Sequence, residues 1–230
     1  MNLNSLSIYF QHHEIRIKLP KNYFKTEGKS YPLVIVQDGD YLFKDVNKDV
    51  VFAGVVPNDR KQDYTPWYTN VNGIEFDGKA DDYLVWITSE LLPYLKKCFS
   101  ISEEQKDIAI AGASLGGLVS LYGLLTKRHA FGSFILISPS IWYPGFLKFM
   151  RKHEILKQPF HVYWYVGELE GKQNKLSNQN MISQTEQGVD ILNEILISEQ
   201  SVFHFVTNRK GIHRKDYFKK YFKHAIKKLF

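Results

Sequence analysis

The sequence has very little cysteine. Cys98 is the one cysteine among 230 residues, which excludes an internal disulfide and a cysteine-based zinc site. A reducing compartment is consistent with such a composition, and we predict a cytoplasmic protein. No histidine lies near Cys98 in the sequence, so we expect it to be a buried structural thiol.

Long apolar runs are missing as well. No stretch approaches the roughly 20 apolar residues that span a bilayer, and residues 1–10 lack the basic and apolar regions of a secretory signal. Repeats, low-complexity tracts and Pro/Ser-rich linkers are also absent. The chain is 44% hydrophobic and 15% aromatic, which is typical of a folded protein. We therefore predict one soluble domain over residues 1–230.

The common cofactor motifs are not found. The sequence contains no P-loop, no G-x-G-x-x-G opening a helix, and no H-x-x-x-H or paired-aspartate pattern. We therefore expect neither a cofactor nor a bound metal.

Negative charge is scarce at the C-terminus. Residues 209–230 carry nine Lys/Arg and one Asp, a local charge of +8, whereas the whole chain carries +6. The apolar residues of this segment recur at helical spacing, with lysines between them: Phe218, Tyr221, Phe222, Ala225, Ile226 and Leu229. A helix of this kind can lie on a membrane, but we expect one packed on its own domain with a solvated cationic face. We predict no nucleic-acid or membrane partner and leave contact with an acidic ligand open.

Apolar runs of strand length alternate with helix-like segments along the rest of the chain. Strands are predicted at 15–20, 31–39, 50–56, 107–111, 133–138, 160–166 and 202–206, and helices at 81–97, 117–125, 181–198 and the C-terminus. This alternation predicts an α/β fold with a mostly parallel central sheet flanked by helices. Functional residues of such folds gather in loops beyond the carboxyl ends of the strands.

The most informative motif is a G-x-S-x-G pentapeptide at 112–116, centred on Ser114. It lies between a predicted strand and a predicted helix, the setting of a nucleophile elbow. The flanking glycines suit a tight turn, and the helix N-terminus directs N–H groups toward an anion above the serine. Ser114 is therefore the predicted nucleophile.

A serine nucleophile needs a base and an orienting acid. His213 alone among eight histidines lies in a loop after a C-terminal strand, next to Gly211, which would let that loop turn. Glu168 and Glu170 follow the 160–166 strand, which gives the order Ser, Glu, His of α/β-hydrolases. We predict Glu170 as the acid, which requires the loop to turn between the two, and keep Glu168 as the alternative.

An oxyanion hole should combine two backbone donors. One is the N–H of Leu115, the residue after the nucleophile. The other comes from the loop after the 31–39 strand, where Gly39 and Asp40 are the candidates.

Several blocks together resemble a known family. The sequence is similar to the putative esterases related to enterochelin esterase and esterase D, within the α/β-hydrolase superfamily. The resemblance rests on 36–43, on R-x-x-D-Y-T-P-W at 60–67, on 90–94, on the pentapeptide, on S-P-S-I-W-Y at 138–143 and on 211–213. It implies an α/β-hydrolase fold, and the short chain indicates that a large lid domain is absent.

The resemblance also implies where a substrate binds. The two blocks that flank the pentapeptide line the pocket in this family, which makes Arg60, Tyr64, Trp67, Trp142 and Tyr143 candidate substrate contacts. An arginine beside aromatic rings suits a polar or anionic acyl group with a flat ring.

The sequence therefore predicts a serine carboxylesterase with a Ser-His-Glu triad and an acyl-enzyme intermediate. Its expected substrate is a small-molecule ester, either of the siderophore type or with another polar or aromatic acyl group. Two alternatives stay open at this point. An acyltransferase or thioester hydrolase would use the same triad, and a non-catalytic binding module would retain only the fold. The oligomeric state is left open.

Overall fold

The computed structural model of the chain describes residues 4–171 and 181–230. Its strands are β1 (Ser5–Phe10), β2 (His13–Lys18), β3 (Leu33–Gln37), β4 (Val51–Val55), β5 (Thr69–Val71), β6 (Ile74–Phe76), β7 (Ile108–Ala113), β8 (Ser133–Ile137), β9 (His161–Gly167) and β10 (Val202–Asn208). Its α-helices are α1 (Arg60–Asp63), α2 (Ala80–Trp86), α3 (Leu92–Cys98), α4 (Leu115–Thr126), α5 (Phe146–Met150), α6 (Met181–Ile195) and α7 (Lys215–Leu229).

Eight strands form one sheet in the order β1-β2-β4-β3-β7-β8-β9-β10. Six of these strands pair in parallel with their neighbours: β4, β3, β7, β8, β9 and β10. At the other edge, β1 pairs antiparallel with β2, and β2 pairs antiparallel with β4. Strands β3, β4, β7 and β8 are buried along their whole length, as continuous apolar runs in a parallel sheet should be. The predicted α/β architecture with a mostly parallel central sheet is confirmed.

Helices cover both faces of the sheet. Alternate residues of β3 belong to two separate cores, with Leu33 and Ile35 in one and Val34 and Val36 in the other. Helix α4 packs in the first core, and α7 packs in the second through its buried residues, which are Phe218, Tyr221, Phe222, Ala225 and Ile226. The lysines of α7 at 220, 223, 227 and 228 are exposed. The expected packing of the C-terminal helix on its own domain is therefore confirmed.

The structure differs from the sequence prediction in several local features. Strand β1 and the β5–β6 hairpin were not predicted. The predicted helix at 81–97 is present as α2 and α3, joined by a π-helical turn at Ile87–Leu91. Cys98 is the last residue of α3 and is exposed, so the expected buried thiol is wrong. Leu92 and Leu95 form the buried side of α3.

The segments that join the strands of the main sheet hold the remaining elements. Within the described ranges they contain only brief helical turns, α1, α5 and the β5–β6 hairpin in addition to the helices that cover the sheet, and none of them forms a lid domain. No helix in the described part of the chain combines the length and apolar content that crossing a membrane requires.

Candidate active site

Ser114 lies in the sharp turn between β7 and α4, with φ at 59° and ψ at −122°. This backbone conformation is costly for a residue with a side chain and is characteristic of a nucleophile elbow. Only glycine fits at position 112, since a Cβ there would lie 2.3 Å from the carbonyl oxygen of Gly116. The turn therefore presents the Ser114 hydroxyl at the carboxyl end of the sheet, beside the start of α4.

The predicted nucleophile, base and acid are joined by hydrogen bonds. The Nε2 atom of His213 lies 3.0 Å from Oγ of Ser114, and Nδ1 of His213 lies 2.7 Å from Oε2 of Glu170. An imidazole that donates from Nδ1 to a carboxylate has Nε2 available to accept the serine proton. The three side chains thus have the geometry in which a carboxylate orients a histidine toward a hydroxyl.

A close approach between two backbone segments carries His213 to this position. The loop from β10 to α7 crosses the carboxyl end of β9, where a Cβ on Gly211 would lie 2.6 Å from Cα of Gly167 and 2.5 Å from the Tyr165 hydroxyl. The sequence suggested that Gly211 serves a turn. In the structure, position 211 must have no side chain because β9 lies so near.

Glu170 is buried and its carboxylate is fixed by further donors. Its side chain is fully shielded from solvent. The Ser138 hydroxyl donates to Oε1 over 2.7 Å, and the N–H of Gly167 donates to the same atom over 2.9 Å. These bonds leave Oε2 facing His213. Ser138 was missed as a site residue, although it belongs to the S-P-S block that follows β8.

Glu168, the alternative acid, lies elsewhere. The Thr207 hydroxyl donates to its carboxylate over 2.8 Å, on the side of β10. The two glutamates diverge because the chain turns at this point, where the N–H of Glu170 bonds back to the carbonyl of Gly167. The structure therefore brings Ser114, His213 and Glu170 together and leaves Glu168 outside this hydrogen-bond chain.

A second hydroxyl lies beside the nucleophile. Oγ of Ser140 is 3.3 Å from Oγ of Ser114, and the N–H of Ser140 donates to the Ser114 carbonyl over 3.0 Å. Ser140 is buried. The loop after β8 is thereby held against the elbow, a contact that no motif in the sequence indicated.

The candidate donors of an oxyanion hole differ in availability. Leu115 is the first residue of α4, and the first N–H groups of a helix have no acceptor within the helix. The N–H of Gly39 is already donated to the Val55 carbonyl over 2.9 Å. The N–H of Asp40 has no such acceptor within residues 4–171 and 181–230. The carboxylate of Asp40 pairs with Nη1 of Arg16 over 3.0 Å.

The five candidate substrate contacts fall into two groups. Tyr64 and Tyr143 have side chains that are almost completely buried, which favours a packing role; their contact with a substrate stays a prediction. Tyr64 accepts a hydrogen bond from the N–H of Asp38, and the Tyr143 hydroxyl donates to the Trp67 carbonyl.

The other three candidates remain accessible. Trp67 and Trp142 are half-buried, and both belong to an aromatic cluster around Phe76 and Tyr143. Arg60 is exposed, but its guanidinium binds Asp38 with two hydrogen bonds of 2.6 and 3.1 Å. No motif in the sequence indicated this ion pair.

Comparisons with known proteins assign the chain to a family. The sequence profile of the family described as "Putative esterase" matches residues 10–229. An uncharacterized protein, YbbA, of Bacillus subtilis (strain 168) is 28% identical over 228 residues, which cover 92% of this chain and 90% of that protein.

Two further similarities concern part of the sequence and the fold. The ferri-bacillibactin esterase BesA of Bacillus subtilis (strain 168) is 33% identical over 109 residues, which cover 45% of this chain and 37% of that protein. The crystal structure of an IroE-like serine hydrolase from Shewanella oneidensis superposes with a TM-score of 0.79 at 20% identity, over 96% of this chain and 78% of that one. The predicted α/β-hydrolase type of fold is confirmed.

Proposed function

The chain belongs to the putative esterase family of carboxylic ester hydrolases, and we propose that it is a serine esterase that works through Ser114, His213 and Glu170. The observation that carries this proposal is the continuous chain of hydrogen bonds from Oγ of Ser114 through the imidazole to the buried carboxylate, with lengths of 3.0 and 2.7 Å. The position of Ser114 at a strained strand-to-helix turn supports the same assignment.

The reaction begins with acyl transfer to the enzyme. Nε2 of His213 takes the proton of Ser114 as Oγ attacks the ester carbonyl, and a C–O bond forms. Glu170 stabilises the imidazolium and keeps its ring oriented. His213 then donates the proton to the leaving alkoxide, and the alcohol departs from the acyl-enzyme.

Water completes the cycle. His213 removes a proton from the attacking water, the second tetrahedral intermediate collapses, and the acid leaves as Ser114 regains its proton. In both steps the negative oxygen is held by the N–H groups of Leu115 and Asp40. Asp40 is preferred to Gly39 because the Gly39 N–H is already donated to Val55.

The substrate that we propose is a polar ester of the siderophore type. BesA, which matches part of this chain, is named a ferri-bacillibactin esterase, and a siderophore enterobactin esterase of Emericella nidulans is 33% identical over 69 residues. Two half-buried tryptophans, Trp67 and Trp142, offer faces on which a flat acyl ring can stack.

An ester panel tests the function. Purified protein is expected to hydrolyse p-nitrophenyl acetate, and its kcat/KM is compared across acyl chain lengths, siderophore lactones and S-acyl thiols. Transfer of the acyl group to an added alcohol or thiol, at the expense of hydrolysis, would show an acyltransferase. A protein that cleaves none of these compounds would be a binding module and would contradict the proposal.

The choice of acid leads to a separate prediction. Glu170→Gln should lower kcat by about 10⁴ because an amide cannot hold the productive tautomer of His213 in the way a carboxylate does. Glu168→Gln is the matched control, since it makes the same chemical change two residues away, where the partner is Thr207. It should leave kcat within about threefold of the wild type, because Glu168 is bonded to Thr207 and not to His213.

Steady-state kinetics on p-nitrophenyl acetate, with circular dichroism to check folding, measure both variants. A severe loss in Glu168→Gln with an active Glu170→Gln would reverse the assignment of the acid. The cytoplasmic location and the expected absence of nucleic-acid and membrane partners stay predictions from the sequence.

A further inference from the structure

A carboxylate lies beside the site where negative charge would develop. A Cβ built on Gly116 would be 3.2 Å from Oδ2 of Asp38, which places this carboxylate against the first turn of α4, one residue beyond Leu115. The Asp38 side chain is only 15% exposed. An unpaired anion at such a position would repel a developing oxyanion, because burial weakens the screening that water provides.

Arg60 supplies the opposite charge. Its Nε lies 2.6 Å from Oδ1 of Asp38 and its Nη2 lies 3.1 Å from Oδ2, a bidentate arrangement. Burial raises the pKa of Asp38, and the attractions of Arg60 and Lys215 oppose this effect. The charges that face Asp38 are therefore mainly cationic, and Arg60 is the one in direct contact.

The same short segment also holds the backbone of Asp38. Helix α1 begins at Arg60, and Tyr64 follows its last residue. The Tyr64 hydroxyl accepts the N–H of Asp38 over 3.0 Å, while Asp38 has the unusual φ of 66°. Residues 60–64 thus fix both the side chain and the main chain of the residue that leads into Gly39 and Asp40.

We propose that Arg60 and Asp38 are a positioning pair for the oxyanion-binding loop, which is the segment 38–40 after β3. Arg60 anchors this loop, and it also neutralises the Asp38 carboxylate next to the oxyanion. The inference rests on the proposed esterase function. It assigns Arg60 a role through Asp38 rather than through the substrate, in contrast to the role that the family resemblance implied.

A double-mutant cycle distinguishes the two roles. On neutral p-nitrophenyl acetate, Arg60→Gln should lower kcat about 10- to 100-fold with little change in KM, because it leaves Asp38 buried and unpaired. Asp38→Asn removes the charge and should cost only a few-fold. In the Arg60→Gln background, Asp38→Asn should raise kcat, so that the double variant approaches Asp38→Asn alone.

Two further variants serve as controls. Arg60→Lys keeps the charge and should retain most of kcat, which a role in charge neutralisation requires. Lys61→Gln removes an equal charge from the next, exposed residue of α1 and should behave as the wild type. Thermal unfolding by circular dichroism establishes that each variant is folded at the assay temperature.

The outcomes separate the possibilities. Losses that add in the double variant, or an Arg60→Gln variant that keeps kcat on the neutral ester and raises KM only for anionic esters, would overturn the positioning pair while the esterase function stands. A wild-type protein that hydrolyses no ester would instead overturn the proposed function, and the positioning pair with it.

Discussion

Ser114→Ala is expected to lower kcat by about 10⁶ while the protein stays folded, as removal of a triad nucleophile typically does. The loss is large because Ser114 carries the hydroxyl that contacts Nε2 of His213, the proposed base. The hydroxyl contributes little to packing, since its hydrogen-bond partners among the described residues are the His213 ring and the Ser140 hydroxyl. Alanine also occupies the strained turn at no greater cost than serine.

Initial rates on p-nitrophenyl acetate, with the thermal unfolding midpoint measured in parallel, check this prediction. Ser140→Ala is the matched control, because it deletes a hydroxyl only 3.3 Å from that of Ser114 and should keep most of the activity. A Ser114→Ala variant that retained a tenth of the wild-type rate would place the nucleophile elsewhere.

The elbow could be predicted from sequence because its determinants are local. A buried strand, a G-x-S-x-G pentapeptide and an apolar helix follow one another within about 20 residues, and steric limits on the turn allow few other conformations. The position of His213 was predictable for a similar reason, since parallel strands bring their carboxyl ends to one edge of the sheet.

The choice between Glu168 and Glu170 could not be settled from the sequence. In an extended strand the two side chains would share a face, and only the turn after Gly167 separates them. That turn depends on the loop carrying Gly211, which comes more than 40 residues later, because the N–H of Leu169 donates to the Gly211 carbonyl. Such a contact leaves no local signal.

The sequence also could not predict that aromatic residues in the loops are buried. The family resemblance implied that Tyr64 and Tyr143 contact a substrate, yet both are buried among other rings. The hairpin of β5 and β6 brings Phe76 against Tyr143, and this hairpin was not predicted. The pairing of Asp38 with Arg60 likewise joins two segments that the chain separates by 22 residues.

His213→Ala is expected to be about as damaging as loss of the nucleophile, with kcat lowered by about 10⁶. His213 acts twice in the proposed mechanism, first on the serine proton and then on the water proton. Pre-steady-state kinetics should therefore show a loss of the acylation burst together with a slow steady-state rate. A variant impaired only in deacylation would retain the burst.

His204→Ala provides the comparison, because His204 lies within β10 and also precedes the last helix. This variant should have an altered unfolding temperature but should keep most of kcat. Its place inside a strand keeps it from the strand end, where the Ser114 hydroxyl is presented, whereas His213 follows the strand and contacts that hydroxyl directly. If His204→Ala were inactive and His213→Ala active, the base would have to be reassigned and the hydrogen-bond chain would have no catalytic meaning.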